Sequence, residues 1–262
     1  SSTSYPARFS VMPWRSFLTL VFPSLLMALP IKAAGPLNDT GIVTCGDASN
    51  NELPCPVADY PGQDAEYGRD VTHNDDSDGH AGFSFTKLDA NGNDLPASAT
   101  DWPCVRDNVT GLIWEVKTTD GGLRDMGWKY SWYNPDASIN GGDPGIRDGG
   151  TCVGSTCDTQ GYVQAVNEQG LCGASDWRMP TRRELLSIIS NDRTTPAIDT
   201  NYFPNTPSNG YSLLIYFWSS SPVAVNPDYA WVVDFNRGAI NQDGGYEGKA
   251  DSNRVRLVRS GE

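Results

Sequence analysis

Three kinds of hydrophobic pattern follow one another along the chain. The first is an apolar run over residues 17–29, preceded by Arg15 and followed by the small residues Ala33 and Ala34. Charge, apolar run and small-residue site in that order make a secretory signal, so residues 1–34 are expected to be a signal peptide absent from the working protein. Met12 reads as the natural initiator, which leaves residues 1–11 as upstream read-through. Pro23 interrupts the run, which is short for a transmembrane helix, and no Leu-x-x-Cys lipoprotein signal follows. No membrane span is expected in the mature form.

From residue 35 to about residue 99 apolar residues are scattered among turn formers, including Asn38-Asp39, Pro61-Gly62, Asp78-Gly79 and Asn91-Gly92, with no helical periodicity. Only Phe83-Ser84-Phe85 and Lys87-Leu88 have strand character, and Asp89-Ala90-Asn91-Gly92-Asn93 is the turn after them. Residues 35–101 therefore read as a small, turn-rich acidic extension docked on a main domain at 102–262.

Regular elements begin after Trp102. Residues 109–116 and 128–133 are expected strands, and a Gly-, Asp- and Pro-rich loop occupies 134–156. Residues 160–169 read as a helix with Val163, Ala165 and Val166 inward and Gly170 at its end. The densest local signal is Asp176-Trp177-Arg178-Met179-Pro180-Thr181-Arg182-Arg183-Glu184-Leu185. Pro180 keeps Met179 extended, and Thr181 with Glu184 forms a capping box in which each side chain accepts the other residue's backbone N–H. Leu185, Leu186, Ile188 and Ile189 then supply an apolar face at helical spacing. Beyond a Pro-rich connection, strands are expected at 213–219 and 229–235, a hairpin turn at Asn236-Arg237-Gly238, and a closing strand at 254–258. In that last strand Val255 and Leu257 are placed on the core face and the arginines on the other. The order predicts an α+β fold around an antiparallel sheet.

Composition adds short elements and many turns: 27 Gly, 18 Pro, 8 Trp and 11 Tyr among 262 residues. Six cysteines all lie in the exported part, where disulfides are the natural reading. Fifteen pairings are formally open. Cys45 with Cys55 and Cys152 with Cys157 would each close a small surface loop, leaving Cys104 with Cys172 as the long-range staple. A zinc site is disfavoured because no two matching pairs have two-residue spacing. The chain carries 19 basic and 32 acidic residues, and the leader removes Arg8, Arg15 and Lys32, taking the net charge from −13 to −16. Long-range repulsion then opposes nucleic acid and anionic lipid as partners.

Five ordered blocks carry a family resemblance. Thr110-Gly111-Leu112-Ile113-Trp114, Asp176 to Thr181 with Glu184-Leu185, Trp218-Ser219-Ser220-Ser221, Ala230-Trp231-Val232-Val233-Asp234-Phe235 and Val255-Arg256-Leu257-Val258-Arg259 resemble the signature blocks of the Lcl C-terminal domain family, named after a bacterial collagen-like adhesin. The likeness covers about residues 102–260. That family is similar to the C-type-lectin-like superfamily, so the resemblance implies two helices on a twisted antiparallel sheet, with long irregular loops that bind ligands. Formylglycine-generating enzymes of that superfamily need a reactive cysteine pair late in the domain. No cysteine follows Cys172 here, so that activity does not carry over.

Candidate chemistry is sparse. Asn74, Asp76 and Asp78, followed by Gly79, place oxygens at alternate positions as in the first half of a calcium loop, but Phe85 stands where the bidentate acid belongs. The plainer reading is a solvated acidic turn. Asp89, Asn91 and Asn93 repeat the alternation more weakly. Asn226-Pro227-Asp228 resembles the triplet with which calcium-dependent C-type lectins hold sugar hydroxyls, without its Trp-Asn-Asp partner. Trp132 and Tyr133, with Tyr211 and Tyr216, are candidates to stack on sugar rings, against the alternative of core packing. His73 and His80, the only histidines, are remote in sequence from any nucleophile. Arg178, Arg182, Arg183 and Arg193 form a local basic cluster, suited to an anion or, more simply, to neighbouring acids. These features predict no enzyme but a secreted or cell-surface bacterial binding module, with the periplasm as a further location, engaging a glycan or protein, with calcium as a candidate cofactor. A structural subunit that self-associates through its extension is the second expectation, and a hydrolase the third.

Overall fold

The computed structural model describes residues 37–261 apart from 74, 209, 211–213 and 239–244. The leader, Asn74 and Tyr211 lie outside the described residues. In chain order the elements are α1 (Arg69–Thr72), β1 (Phe85–Leu88), β2 (Cys104–Asp107), β3 (Leu112–Glu115), β4 (Tyr130–Ser131), α2 (Thr159–Gln169), α3 (Arg182–Leu186), β5 (Tyr216–Pro222), β6 (Tyr229–Asp234), β7 (Tyr246–Gly248), β8 (Ser252–Asn253) and β9 (Val258–Ser260). The fold is α+β. Its strands pair antiparallel in three small sheets, ordered β1-β2-β3-β9, β4-β8 and β5-β6-β7, where the sequence pattern suggested one.

β1 occupies an edge of the first sheet, with Phe85 opposite Asp107 and Leu88 opposite Cys104. The extension thus docks by adding a strand, and residues 35–262 form one compact unit. Asn38 reinforces the junction by donating to the Ser187 carbonyl at 3.0 Å and to the Asp107 carboxylate.

Side-chain alternation along β3 and its neighbours divides the interior in two. Val105, Trp114, Val116, Leu185, Ile188, Phe217, Val233 and Val258 pack on one side, with Phe83 and Phe85 from the extension. Cys104, Ile113, Tyr130, Trp132, Tyr162, Val166, Trp177, Trp218, Val232 and Leu257 pack on the other. Adjacent residues such as Ile113 and Trp114, or Trp218 and Phe217, therefore serve opposite cores, the period of two that an extended chain imposes.

Both longer helices begin on a side-chain cap. Asp158 accepts the Gly161 N–H at 2.7 Å, and α2 ends at Gly170, whose φ of 69° is the left-handed geometry that glycine adopts without strain. Tyr162 and Val166 carry its buried face, while Val163 and Ala165 are only half-buried. The capping box of α3 forms as expected: Glu184 N–H donates to Thr181 Oγ1 at 3.2 Å and Thr181 N–H to the Glu184 carboxylate at 2.7 Å. α3 proper stops at Leu186, but Ile188 and Ile189 continue into the first core. The disulfides pair Cys45 with Cys55, Cys104 with Cys172 and Cys152 with Cys157.

One face assignment is corrected. Arg256 is not on a solvent face: its exposure is 0%. It donates to the Glu115 carbonyl at 2.9 Å and to Thr206 Oγ1 at 2.8 Å, with its guanidinium near the rings of Phe203 and Phe217. The chain at 255–258 runs between the two cores, so both of its sides are covered and the polar residue has no route to water.

Candidate functional site

The three-stranded sheet builds the most distinctive exposed chemistry. Along β6, Ala230 and Val232 point into the second core, which turns Tyr229 and Trp231 to the other side. Leu186 of α3 packs against the cluster that holds Val233, covering that end of the outer side and leaving the Tyr229 end open. β7 brings Tyr246 opposite Trp231. The Tyr246 ring stands edge-on to both neighbours, 5.5 Å from Tyr229 and 5.7 Å from Trp231 between centroids, in the T-shaped geometry that aromatic quadrupoles favour. Tyr246 is 45% exposed and Tyr229 and Trp231 are half-buried.

The capping box completes this surface. It sets Arg182 at the first position of α3, where its backbone N–H donates to Ser221 Oγ on β5 at 3.2 Å and its guanidinium lies 4.1 Å from the Trp231 ring centroid. A cation over an indole face is attractive and holds both groups in place. Three rings, two phenol hydroxyls and one guanidinium thus share a sheet face, a set that offers apolar stacking and directional hydrogen bonds together.

The predicted Asn226 and Asp228 lie beside it, at the exposed tip of the β5–β6 connection. Asn226 accepts the Tyr229 N–H at 3.2 Å through its carbonyl, and the Asp228 carbonyl accepts the Lys249 N–H at 2.8 Å, so the backbone of the triplet closes the turn. Both residues are exposed at the turn, beside Tyr229.

Trp132 and Tyr133 do not join them. Trp132 is 1% exposed, its indole N–H donating to the Ser219 carbonyl at 2.9 Å with the Lys249 ammonium 4.2 Å from its ring. It is a core residue, because the segment leaving β4 passes through the second core. Tyr133 is half-buried, and its backbone exchanges hydrogen bonds with Thr159 Oγ1 at 3.0 and 2.9 Å. Lys249 also donates to the carbonyls of Asn140 and Asp143, pinning the long 134–156 loop; burial lowers its pKa.

The acidic turn is engaged locally. Asp76 accepts the Ala81 N–H at 3.1 Å and faces His80, and Asp78 accepts Ser84 Oγ at 2.5 Å. Asp89 accepts the N–H groups of Asn91 and Asn93 at 2.8 and 2.9 Å, as an ordinary Asx turn does. Among the described residues no three His, Cys, Asp or Glu side chains converge as a metal-holding group. The basic cluster is also dispersed: Arg178 pairs with Glu184 at 2.7 Å, Arg193 with Asp199 at 3.7 Å, and Arg182 with Trp231.

Tyr229, Trp231 and Tyr246 were not singled out from the sequence as ligand-binding, and Arg182 was read only as part of a basic cluster suited to an anion. A signal was present in Tyr229-Ala230-Trp231-Val232, where the large aromatic residues alternate with small apolar ones that fit a core.

Fold and surface together define a disulfide-bonded α+β module. The chain belongs to the Lcl C-terminal domain family, whose model matches residues 103–259, well over half its length. That membership and the disulfides indicate a bacterial surface module of adhesion type. No helix among the described residues is long and apolar enough to cross a membrane. No curated protein and no solved structure matches the chain significantly.

Proposed function

We propose that the protein is an exported adhesion module of C-type-lectin-like architecture that binds a glycan on the Tyr229–Trp231–Tyr246 surface. The observation that carries this reading is the edge-to-face aromatic set with Arg182 across Trp231, held on a sheet and not on a loose loop. Sugar rings present apolar C–H faces and peripheral hydroxyls. The surface offers the complement of both, with Asn226 and Asp228 at its border. Rigid aromatics also lose little side-chain entropy on binding.

A glycan array with the mature chain tests the reading. Saturable binding to a small set of glycans is expected, lost in Trp231→Ala while the melting temperature stays close to that of the parent. Binding unaffected by Trp231→Ala would sink it. Running the array with millimolar calcium and with chelator carries the calcium expectation into the same experiment. Binding lost in chelator and restored by calcium would support the cofactor; binding unchanged by chelator would remove it from this site.

A second reading is favoured by a separate observation: Leu37, Tyr67 and Val71 in the extension are 78%, 64% and 49% exposed. Such apolar exposure suits contact with a neighbouring subunit. Self-association in size-exclusion chromatography without any array signal would select this structural role. Turnover of an array glycan, abolished by one carboxylate change, would select the hydrolase.

A further inference from the structure

A cleft of about 540 Å³ opens where the extension meets the loop after α3. Its size falls within the range of small-molecule sites, about 300–1,000 Å³. Lys87 forms its floor and is 6% exposed. Two of the three ammonium N–H groups donate to the carbonyls of Ala97 and Ala99, at 2.7 and 2.8 Å. Among the described residues these two carbonyls are its hydrogen-bond acceptors, and the ammonium also lies over the Trp102 ring, 3.6 Å from its centroid, and 5.6 Å from that of Tyr202. A buried ammonium that lines a cavity, with three donors and two carbonyl acceptors, offers a ligand oxygen a charge-assisted hydrogen bond beside its ring contact.

The walls supply the opposite polarity. Asp199 is buried, accepts the backbone N–H groups of His80 and Asn201 at 3.1 and 3.0 Å, and faces Arg193 at 3.7 Å. Asp76 stands at the rim with its side chain 63% exposed. The cations Lys87 and Arg193 are balanced by the carboxylates of Asp199 and Asp76, and His80 on the same wall lies between Asp76 and Asp192. A charged ligand finds no uncompensated countercharge here and loses its hydration on entry. A ligand whose groups both donate and accept fits an ammonium and carboxylates lying side by side, and a hydroxyl does both.

We propose that this cleft binds a neutral saccharide of one or two rings, one hydroxyl oxygen accepting from Lys87 while neighbouring hydroxyls donate to Asp199 and Asp76. Asp76, Lys87 and Trp102 all precede residue 103, where the family match begins, so the extension gives this chain a site that the family domain alone does not contain. The proposal shares a ligand class with the reading above and stands on a different surface.

Titration calorimetry and saturation-transfer NMR on the mature chain test it, with cellobiose, maltose, lactose and N,N′-diacetylchitobiose as neutral probes and glucosamine and glucuronic acid as charged ones. At least one neutral disaccharide is expected to saturate in the millimolar range, with both charged sugars about tenfold weaker or worse. Asn201 is exposed at the cleft, and Asn201→Trp fills the space without removing a buried contact. It is expected to abolish disaccharide binding, whereas Trp231→Ala leaves it intact. Silence of all four neutral probes, preference for a charged sugar, or binding that survives Asn201→Trp overturns the proposal. Loss in Trp231→Ala alone assigns the sugar to the sheet surface, overturning the cleft while keeping the function proposed above. Array binding untouched by Trp231→Ala but lost in Asn201→Trp does the reverse.

Discussion

Glu115, Lys117 and Arg256 lie wholly inside the protein, whereas Arg178 and Glu184 meet at its surface at the start of α3. Each group holds an ion pair between residues close in sequence, two apart inside and six apart outside, yet their further partners differ in kind. Inside, Glu115 accepts from Lys117 at 3.0 Å, from the Tyr162 hydroxyl and from the Leu257 N–H at 2.9 Å, while Arg256 reaches the Glu115 carbonyl. One carboxylate therefore organises β3, α2 and the chain entering β9. Two buried cations share one buried anion, and burial lowers the pKa of both Lys117 and Arg256, the latter to about 10. Outside, Arg178 grips Glu184 through two parallel bonds of 2.9 and 2.7 Å with water at hand. The inner set is intolerant of losing one member, because the others have no water to turn to; the outer set is not.

The sharpest break is Glu115→Ala. It strands Lys117 and Tyr162 and is expected to cost roughly 3–5 kcal/mol in urea unfolding, the range for a buried charge that loses its partner. A cost below about 1 kcal/mol would show that water reaches the cluster. Glu115→Leu combined with Lys117→Met is expected to recover most of the loss, since a buried ion pair replaced as a unit by apolar groups is near neutral.

Asp70 tests the same contrast where a buried charge meets a like charge. Burial, then the adjacent Asp39, raises its pKa to about 6 from an ordinary 3.8. Asp39 is partly buried, but backbone N–H groups of Asp70, Thr40 and Arg69 hold its carboxyl below the usual value. With its folded pKa raised, protonated Asp70 favours the native state fully below pH 3.8, and that contribution is lost as pH rises through about 6. Asp70→Asn is therefore expected to stabilise the protein at pH 7, by up to roughly 3 kcal/mol, and to leave it nearly unchanged at low pH. Melting temperatures at both ends of that window decide it; equal shifts at both would show that folding does not raise the Asp70 pKa.

Thr181→Ala removes the hydroxyl that accepts the Glu184 N–H and is expected to cost about 1 kcal/mol in chemical denaturation. A neutral result would mean that Arg178 and Ser221 hold the start of α3 without the cap.

The same contrast explains what the sequence conveyed. The capping box was legible because it is local: Thr181 and Glu184 are three residues apart and need no knowledge of the rest of the fold. The cysteine pairing was legible from loop lengths, and the strands from β-branched and aromatic runs. Arg256 was misread because alternation marks one side of a strand as wet, and here both sides face a core. Trp132 was misread because it stands at the end of an expected strand, next to the long loop, and its burial comes from residues 218, 232 and 255, far along the chain. Lys87 looked like an ordinary strand residue, and only the return of residues 97–102 and 193–202 shows it to be a cleft floor. The Tyr229–Trp231–Tyr246 surface needed the β6–β7 register, which sequence spacing does not supply.

The smallest effect probes the surface pair directly. Glu184 is partly buried, which raises its pKa, but the bonds from Arg178 and from the Thr181 N–H outweigh this and hold it below its usual value. A depressed carboxylate contributes stability above its unfolded pKa and loses it as pH falls through the folded one, so the contribution of Arg178 belongs to neutral pH and fades in acid. The Arg178 side chain is 41% exposed, so solvent screens the pair, and Arg178→Met is expected to cost about 0.5–1 kcal/mol at low salt. At about 1 M salt the Debye length shrinks to roughly 3 Å, and the difference from the parent is expected to fall toward zero. Urea unfolding of both proteins at low and high salt measures it. A cost that exceeds about 1 kcal/mol and ignores salt would place Arg178–Glu184 energetically with the buried set, and the line drawn here between the two kinds of pair would have to follow hydrogen-bond geometry instead of exposure.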